Sequence, residues 1–198
     1  FLARLCYCPL MGTRNLLFVM VMALAFAGSL FGGLGEEIQI ACSISLARMG
    51  LLMSLSQVGS FVSFLTLPLL ARKLSSYSLL VIGILSSSVT LLGMGLSRTA
   101  SVFGLFFLLN ALGGYLYGTS NIMVLINVDR PRMKTNIPLM HLTFSIASIF
   151  SGYYITFLKQ HTWYHGYVQM ALIYLVMGTL FILYKPAGID RWEQRKDQ

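Results

Sequence analysis

Long apolar runs separated by short polar interruptions organise this chain. A helix needs about 20 apolar residues to cross the hydrocarbon core of a bilayer, and six stretches approach that length: Asn15 to Leu34, Met49 to Leu70, Ser78 to Leu96, Val102 to Asn127, Ile137 to Leu158 and Tyr167 to Tyr184. The segments between them, such as "ARKLSSY", "SRTAS" and "VDRPRMKT", leave no room for a soluble domain. The pattern predicts an all-α membrane protein with a transmembrane bundle over 15–184, a leading segment 1–14 and a basic tail 185–198. The run after Arg14 is too long for a signal-peptide core and is read as the first span. Six crossings put both ends on the same side.

Within the spans, small and polar residues recur at helical spacing. Gly28 and Gly32 in the first span, Gly114 and Gly118 in the fourth, and Ser148 and Gly152 in the fifth have the four-residue spacing that lets helix backbones approach. These are the expected packing notches. Residues three or four apart share a helix face, which groups Asn110, Gly114, Tyr117 and Asn121 in the fourth span. His141, Ser145, Ser148, Gly152 and Thr156 form a second stripe in the fifth, and Ser56, Ser60 and Ser63, with Gln57 beside them, form a third. Hydroxyl and amide groups are disfavoured toward lipid without partners. Two arrangements satisfy them: a wet surface shared between the helices, or hydrogen bonds within a dry bundle. His141 is the one ionisable residue clearly inside a span, and either solute binding or capping of a neighbouring helix fits it.

Composition changes the picture little. Hydrophobic residues make up 57% of the 198 and charged residues only 10%, against about 25% charged in a soluble domain. The formal charge of +8 does not point to nucleic acid, because Lys and Arg sit in clusters between apolar runs. Those clusters give an orientation instead. With the amino end cytoplasmic, that side gathers Arg4, Arg14, Arg72, Lys73, Arg130, Arg132, Lys134, Lys185, Arg191, Arg195 and Lys196, leaving Arg48, Arg98 and Lys159 opposite. This follows the positive-inside bias. Trp163, Tyr164 and Trp192 read as interfacial anchors.

No catalytic constellation emerges, and the chain is expected not to be an enzyme. Gly118-Thr119-Ser120-Asn121 lacks the second glycine of the intramembrane serine protease motif, and His141 lies in the following span. There is no HExxH, CxxC or phosphate-binding glycine loop. Cys6, Cys8 and Cys42 have no metal-ligand spacing. Neither a metal nor a cofactor is expected.

Two stretches carry a family resemblance. "LPLLARKLSSYSLLVIG", Leu67 to Gly83, stands where the major facilitator superfamily has its signature between spans two and three. "NALGGYLYGTSN", Asn110 to Asn121, followed by "VDRPRMKTNIPLMHLTFSIASIFSGYY", Val128 to Tyr154, resembles the fucose and glucose symporter branch, with a glycine-rich fourth helix and a fifth that opens on a Leu-x-His-x-x-Phe segment. The resemblance covers most of the chain and implies the amino-terminal six-helix half of such a transporter. It departs from the pattern at Pro68 and Ser75, which stand where the signature has glycines, and at Arg72, which stands where it has an acidic residue and is followed by the basic Lys73. Tyr117 stands where the sugar branch has the helix-four acid associated with proton coupling.

The resemblance implies a multi-pass transporter moving a small polar solute, such as a sugar, between this bundle and a second six-helix bundle. That bundle would come from the same protein, a second copy or another chain. Gln57, Asn110, Tyr117, Asn121, His141 and Ser145 are the expected cavity residues, because amides and hydroxyls match solute hydroxyls. The rival reading, from the half-sized chain and the altered loop signature, is a non-transporting structural subunit of a membrane complex. The bilayer is a partner in both.

Overall fold

The computed structural model describes residues 12–160 and 162–183. The tail 185–198 and the basic and cysteine residues before position 12 lie outside the described residues, and with them part of the orientation argument. The described residues are helical nearly throughout: α1 (Thr13–Gly33), α2 (Gly35–Cys42), α3 (Leu46–Lys73), α4 (Ser76–Leu96), α5 (Ala100–Val128), a 3-10 turn (Arg130–Arg132), α6 (Met133–Lys159) and α7 (Tyr164–Leu183). The short α2 occupies the connection between α1 and α3 that the sequence pattern leaves as a loop.

Local chemistry sets the boundaries. Ser75 ends the turn after α3 and caps α4, its Oγ accepting from the Ser78 backbone N–H at 3.0 Å. Ser45 caps α3 in the same way through the Arg48 N–H at 3.4 Å. α2 stops where Ser43 takes a left-handed conformation, φ 52°, which breaks the helical path.

Among the described residues, α1, α3, α4, α5 and α7 are long and apolar enough to cross a membrane. α6 is equally long, at 27 residues, or about 40 Å at the helical rise. Asn136, His141 and a run of Ser and Thr dilute its apolar content, so composition supports five crossings where the sequence reading expected six. α6 nevertheless runs beside α1 and in the same direction: Gly33 near the end of α1 packs on Ile155, and beyond it Glu37 pairs with Lys159 at 3.4 Å.

Packing divides the bundle. α4 lies between α5 and α7 and buries residues along its whole length, including Leu80, Ile84, Ser87, Leu91 and Met94. Glycines on α4 and α7 permit this. A Cβ at Gly83 would lie 2.6 Å from the backbone N of Tyr117 in α5, and one at Gly178 would lie 3.0 Å from Leu85 of α4. The Ser88 hydroxyl donates to the Ala171 carbonyl of α7 at 2.7 Å, and Tyr77 donates to the Phe181 carbonyl at 3.3 Å. α1 packs on α5, α6 and α7. α3 rests mainly on α5 and α6 mainly on α1, and both leave most of their circumference exposed, with Phe61, Phe64, Ile149, Phe150 and Tyr153 outward.

The contact pattern has an internal symmetry. Exchanging α1 with α5, α3 with α6 and α4 with α7 maps the main contacts onto one another: α4–α7 and α1–α5 return to themselves, α1–α6 becomes α5–α3, and α4–α5 becomes α7–α1. The members of each exchanged pair run in opposite directions, as successive long helices alternate in sense. The contacts are uneven, α4–α5 being far more extensive than α1–α7.

Candidate functional site

Three flanks of α1 are covered near its end, and a fourth is open. Phe31 stacks on Phe107 of α5 with ring centroids 4.0 Å apart, Leu30 approaches Gly166 of α7, and Gly33 meets Ile155 of α6. At about 100° per residue, Gly28 and Gly32 fall on the remaining flank. Both are exposed, with no atom within 4 Å of a built Cβ. The close contact in α1 is therefore made by Gly33, one residue beyond the expected notch.

α5 repeats the arrangement. Gly113 meets Ser86 and Ser87 of α4, Tyr117 and Asn121 meet α1, and Leu108 and Ala111 meet Gly59 of α3. Gly114 falls between the α1 and α3 flanks with no neighbour within 4 Å, and the close approach expected there belongs to Gly113. Gly118 lies toward α1, a Cβ there falling 3.3 Å from Leu24.

On α6, Tyr154 and Leu158 mark the flank toward α7: the Tyr154 hydroxyl donates to Gln169 Oε1 at 2.6 Å, and Leu158 covers Gly166. His141, Ser148 and Gly152 lie on the opposite flank, with Ser145 beside them. His141, Ser145 and Gly152 are exposed. A Cβ at Gly152 would have nothing within 4 Å among the described residues, so Gly152 makes no close helix contact there. The hydroxyls of this stripe turn back on their own helix. Ser145 donates to the His141 carbonyl at 3.0 Å, Ser148 to Phe144 at 3.0 Å and Thr156 to Gly152 at 3.0 Å, the intrahelical pattern that hides a hydroxyl in an apolar setting.

The open flanks of α1, α5 and α6 face away from α4 and α7. Gln57 is the exposed amide of α3, two turns from Phe64, whose ring meets Tyr115 of α5 edge-on at 6.4 Å.

The polar stripe predicted on the fourth span does not act as one surface. Tyr117 and Asn121 are fully buried, and both tie α5 to α1. The Tyr117 hydroxyl donates to the Met20 carbonyl, and Asn121 Nδ2 donates to the Leu17 carbonyl at 3.2 Å. Tyr117 also packs edge-on against Tyr174 of α7, ring centroids 5.2 Å apart. Asn110 turns toward α4, where the Thr90 hydroxyl donates to its Oδ1 at 3.0 Å. Ser63 of the α3 stripe donates across to the Leu112 carbonyl at 3.1 Å. These four residues follow the dry-bundle alternative. Asn121 Oδ1, Ser120 Oγ and Ser87 Oγ are buried with no hydrogen-bond partner among the described residues.

Near the end of α3, before the turn to α4, Pro68, Arg72 and Lys73 are exposed. The salt bridge found among the described residues is Lys159–Glu37 at the other end, so the loop holds no charge pair of the facilitator kind. No metal-binding cluster of His, Cys, Asp or Glu occurs among the described residues. Gly83, Ser88 and Thr90 of α4 are the structural residues the sequence reading passed over, although Gly83 and Ser87 have the four-residue spacing that signals a close face.

Comparison with protein-family models, with curated proteins and with solved structures finds no match for this chain.

Proposed function

We propose that this chain is one half of a facilitator-type transporter, moving a small uncharged polar solute between its open face and a second six-helix bundle. The observation that carries the reading is the open face itself. Gly28, Gly32, Gly114 and Gly152 lie on three helices with free space in front of them, opposite the side closed by α4. Bare glycines give room for a ligand or a partner helix, and solute sites in such transporters lie near the midplane between two repeats. The exchange symmetry of the two three-helix halves supports the same reading, since inverted repeats are a mark of these folds.

In this reading α6 crosses beside α1, both ends are cytoplasmic, and His141 and Ser145 on α6 and Gln57 on α3 form the rim. Gln57 can donate and accept, and His141 can do either through its two ring nitrogens, which suits a sugar or another polyol. Tyr117, Asn121 and Asn110 hold helices together and do not touch solute. The experiment is uptake of radiolabelled neutral hexoses and polyols by cells expressing the complete assembly. Gln57→Leu and His141→Leu are expected to reduce uptake at least tenfold at unchanged surface expression. Full uptake in both variants contradicts the site.

A second reading, a structural subunit of a larger membrane complex, draws on the self-satisfied hydroxyls of α6. They leave few free polar groups for a solute, while bare glycines suit permanent helix contacts. Co-purification with unrelated subunits at fixed stoichiometry, without a second six-helix bundle, selects it.

A further inference from the structure

The two ends of the bundle differ in charge. Among the described residues, the end where α1 begins carries Arg14, Arg72, Lys73, Arg130, Arg132 and Lys134 against the single acid Asp129, whereas the other end sets Arg48, Arg98 and Lys159 against Glu36 and Glu37. At the basic end the start of α1 and the turn between α5 and α6 enclose an open hollow of about 400 Å³, lined by Thr13, Arg14, Asn15, Asp129 and Arg132 among others. The two arginines approach it from different segments of the chain, and neither forms a salt bridge with Asp129 within 4.0 Å. The Asp129 Oδ2 instead accepts from Asn136 Nδ2 at 2.9 Å, which holds the carboxylate toward α6. Thr13 and Asn15 add a hydroxyl and an amide that hydrogen-bond phosphate or glycerol oxygens. The hollow lies at the start of α1, a helix long and apolar enough to cross a membrane.

We infer that this hollow holds the phosphate headgroup of an anionic lipid, clamped between Arg14 and Arg132. Guanidinium groups match phosphate oxygens two at a time, and each basic residue near an anionic surface contributes about fivefold in affinity. The lipid would fix the start of α1 to the α5–α6 turn, adding to the ties that Asn121 and Tyr117 make to Leu17 and Met20 further in. This inference needs only that the bundle spans a membrane, and holds whether or not the chain transports.

The test is native mass spectrometry of the purified full chain in mixed micelles, titrated with phosphatidylglycerol and with phosphatidylcholine. The wild-type protein is expected to retain phosphatidylglycerol in preference to phosphatidylcholine. Replacing both arginines, Arg14→Gln with Arg132→Gln, is expected to weaken phosphatidylglycerol binding about 25-fold, at fivefold for each. Arg72→Gln with Lys73→Gln, at the same end but outside the hollow, is expected to change it less than twofold. Asp129→Asn, which removes the one negative charge lining the hollow and keeps an acceptor for Asn136, is expected to tighten binding, and decides the matter if the double arginine variant does not fold. Equal losses in the two double variants would mean a diffuse basic rim and overturn the inference. So would displacement of the lipid by millimolar inorganic phosphate, which would mean a site for free phosphate, or an unchanged affinity in Asp129→Asn.

Discussion

The two sides of α5 make opposite use of adjacent glycines. Toward α4, Gly113 presses on Ser86 and Ser87, and Gly83 of α4 presses on the Tyr117 backbone. Toward the open side, Gly114 presses on nothing. One residue separates a glycine that the fold requires from a glycine that the fold leaves free. In the proposed reading, the space that Gly114 leaves open among the described residues receives a solute or a second bundle.

The largest predicted effect follows from the closed side. Gly83→Ala places a methyl 2.6 Å from a backbone nitrogen, which no side-chain rotation relieves, and is expected to destabilise the bundle by about 2–3 kcal/mol. Gly114→Ala is expected to stay within about 0.5 kcal/mol of the parent protein. Unfolding in graded sodium dodecyl sulfate measures both, and similar losses at the two sites would erase the contrast.

Next comes the seam between α1 and α5. Asn121→Leu removes the donor to the Leu17 carbonyl, and a loss of about 1–2 kcal/mol is expected in the same assay. Solute uptake per folded molecule should be unchanged, and a selective loss of uptake would return Asn121 to the cavity. Thr90→Val, which breaks the Asn110 contact between α4 and α5, should lower stability by about 0.5–1 kcal/mol.

The smallest effect is chemical. Cys42 is buried at the end of α2, outside the spans, and burial pushes its thiol above the ordinary range although Arg98 pulls it down. A raised pKa means a smaller thiolate fraction at any given pH. In a protein with Cys6 and Cys8 replaced by serine, Cys42 should therefore label with maleimide more slowly than a free thiol, and its rate should climb only at higher pH. Labelling at the rate of an exposed cysteine would contradict the placement of α2.

Much of the architecture was legible in the apolar runs, because helix length and bilayer thickness are tied by the rise per residue. α2 was not. Its eight residues carry Glu36 and Glu37 in a first turn that favours negative charge, and they sit outside the apolar pattern that marked the spans. The roles of small and polar residues were legible only in part. The four-residue spacing picked out Gly28 and Gly32 in α1 and Gly114 and Gly118 in α5, whereas Gly33 and Gly113 make the tighter approaches and Gly118 lies against Leu24, since spacing gives a stripe and not the direction in which it points. Tyr117 and Asn121 matched an expected cavity stripe by the same periodicity and proved to face the neighbouring helix, a distinction set by how α1 docks and not by α5 alone.

The most direct test of the open face is labelling of single cysteines placed at Gly28, Gly114 and Gly152 in native membranes, with the natural cysteines replaced by serine and Ser87→Cys as the buried control. A water-soluble methanethiosulfonate reagent should modify all three positions, transported solute should slow the reaction, and Ser87→Cys should stay unlabelled. Modification of the three only by a lipid-soluble reagent would show that the face meets hydrocarbon and holds no solute path.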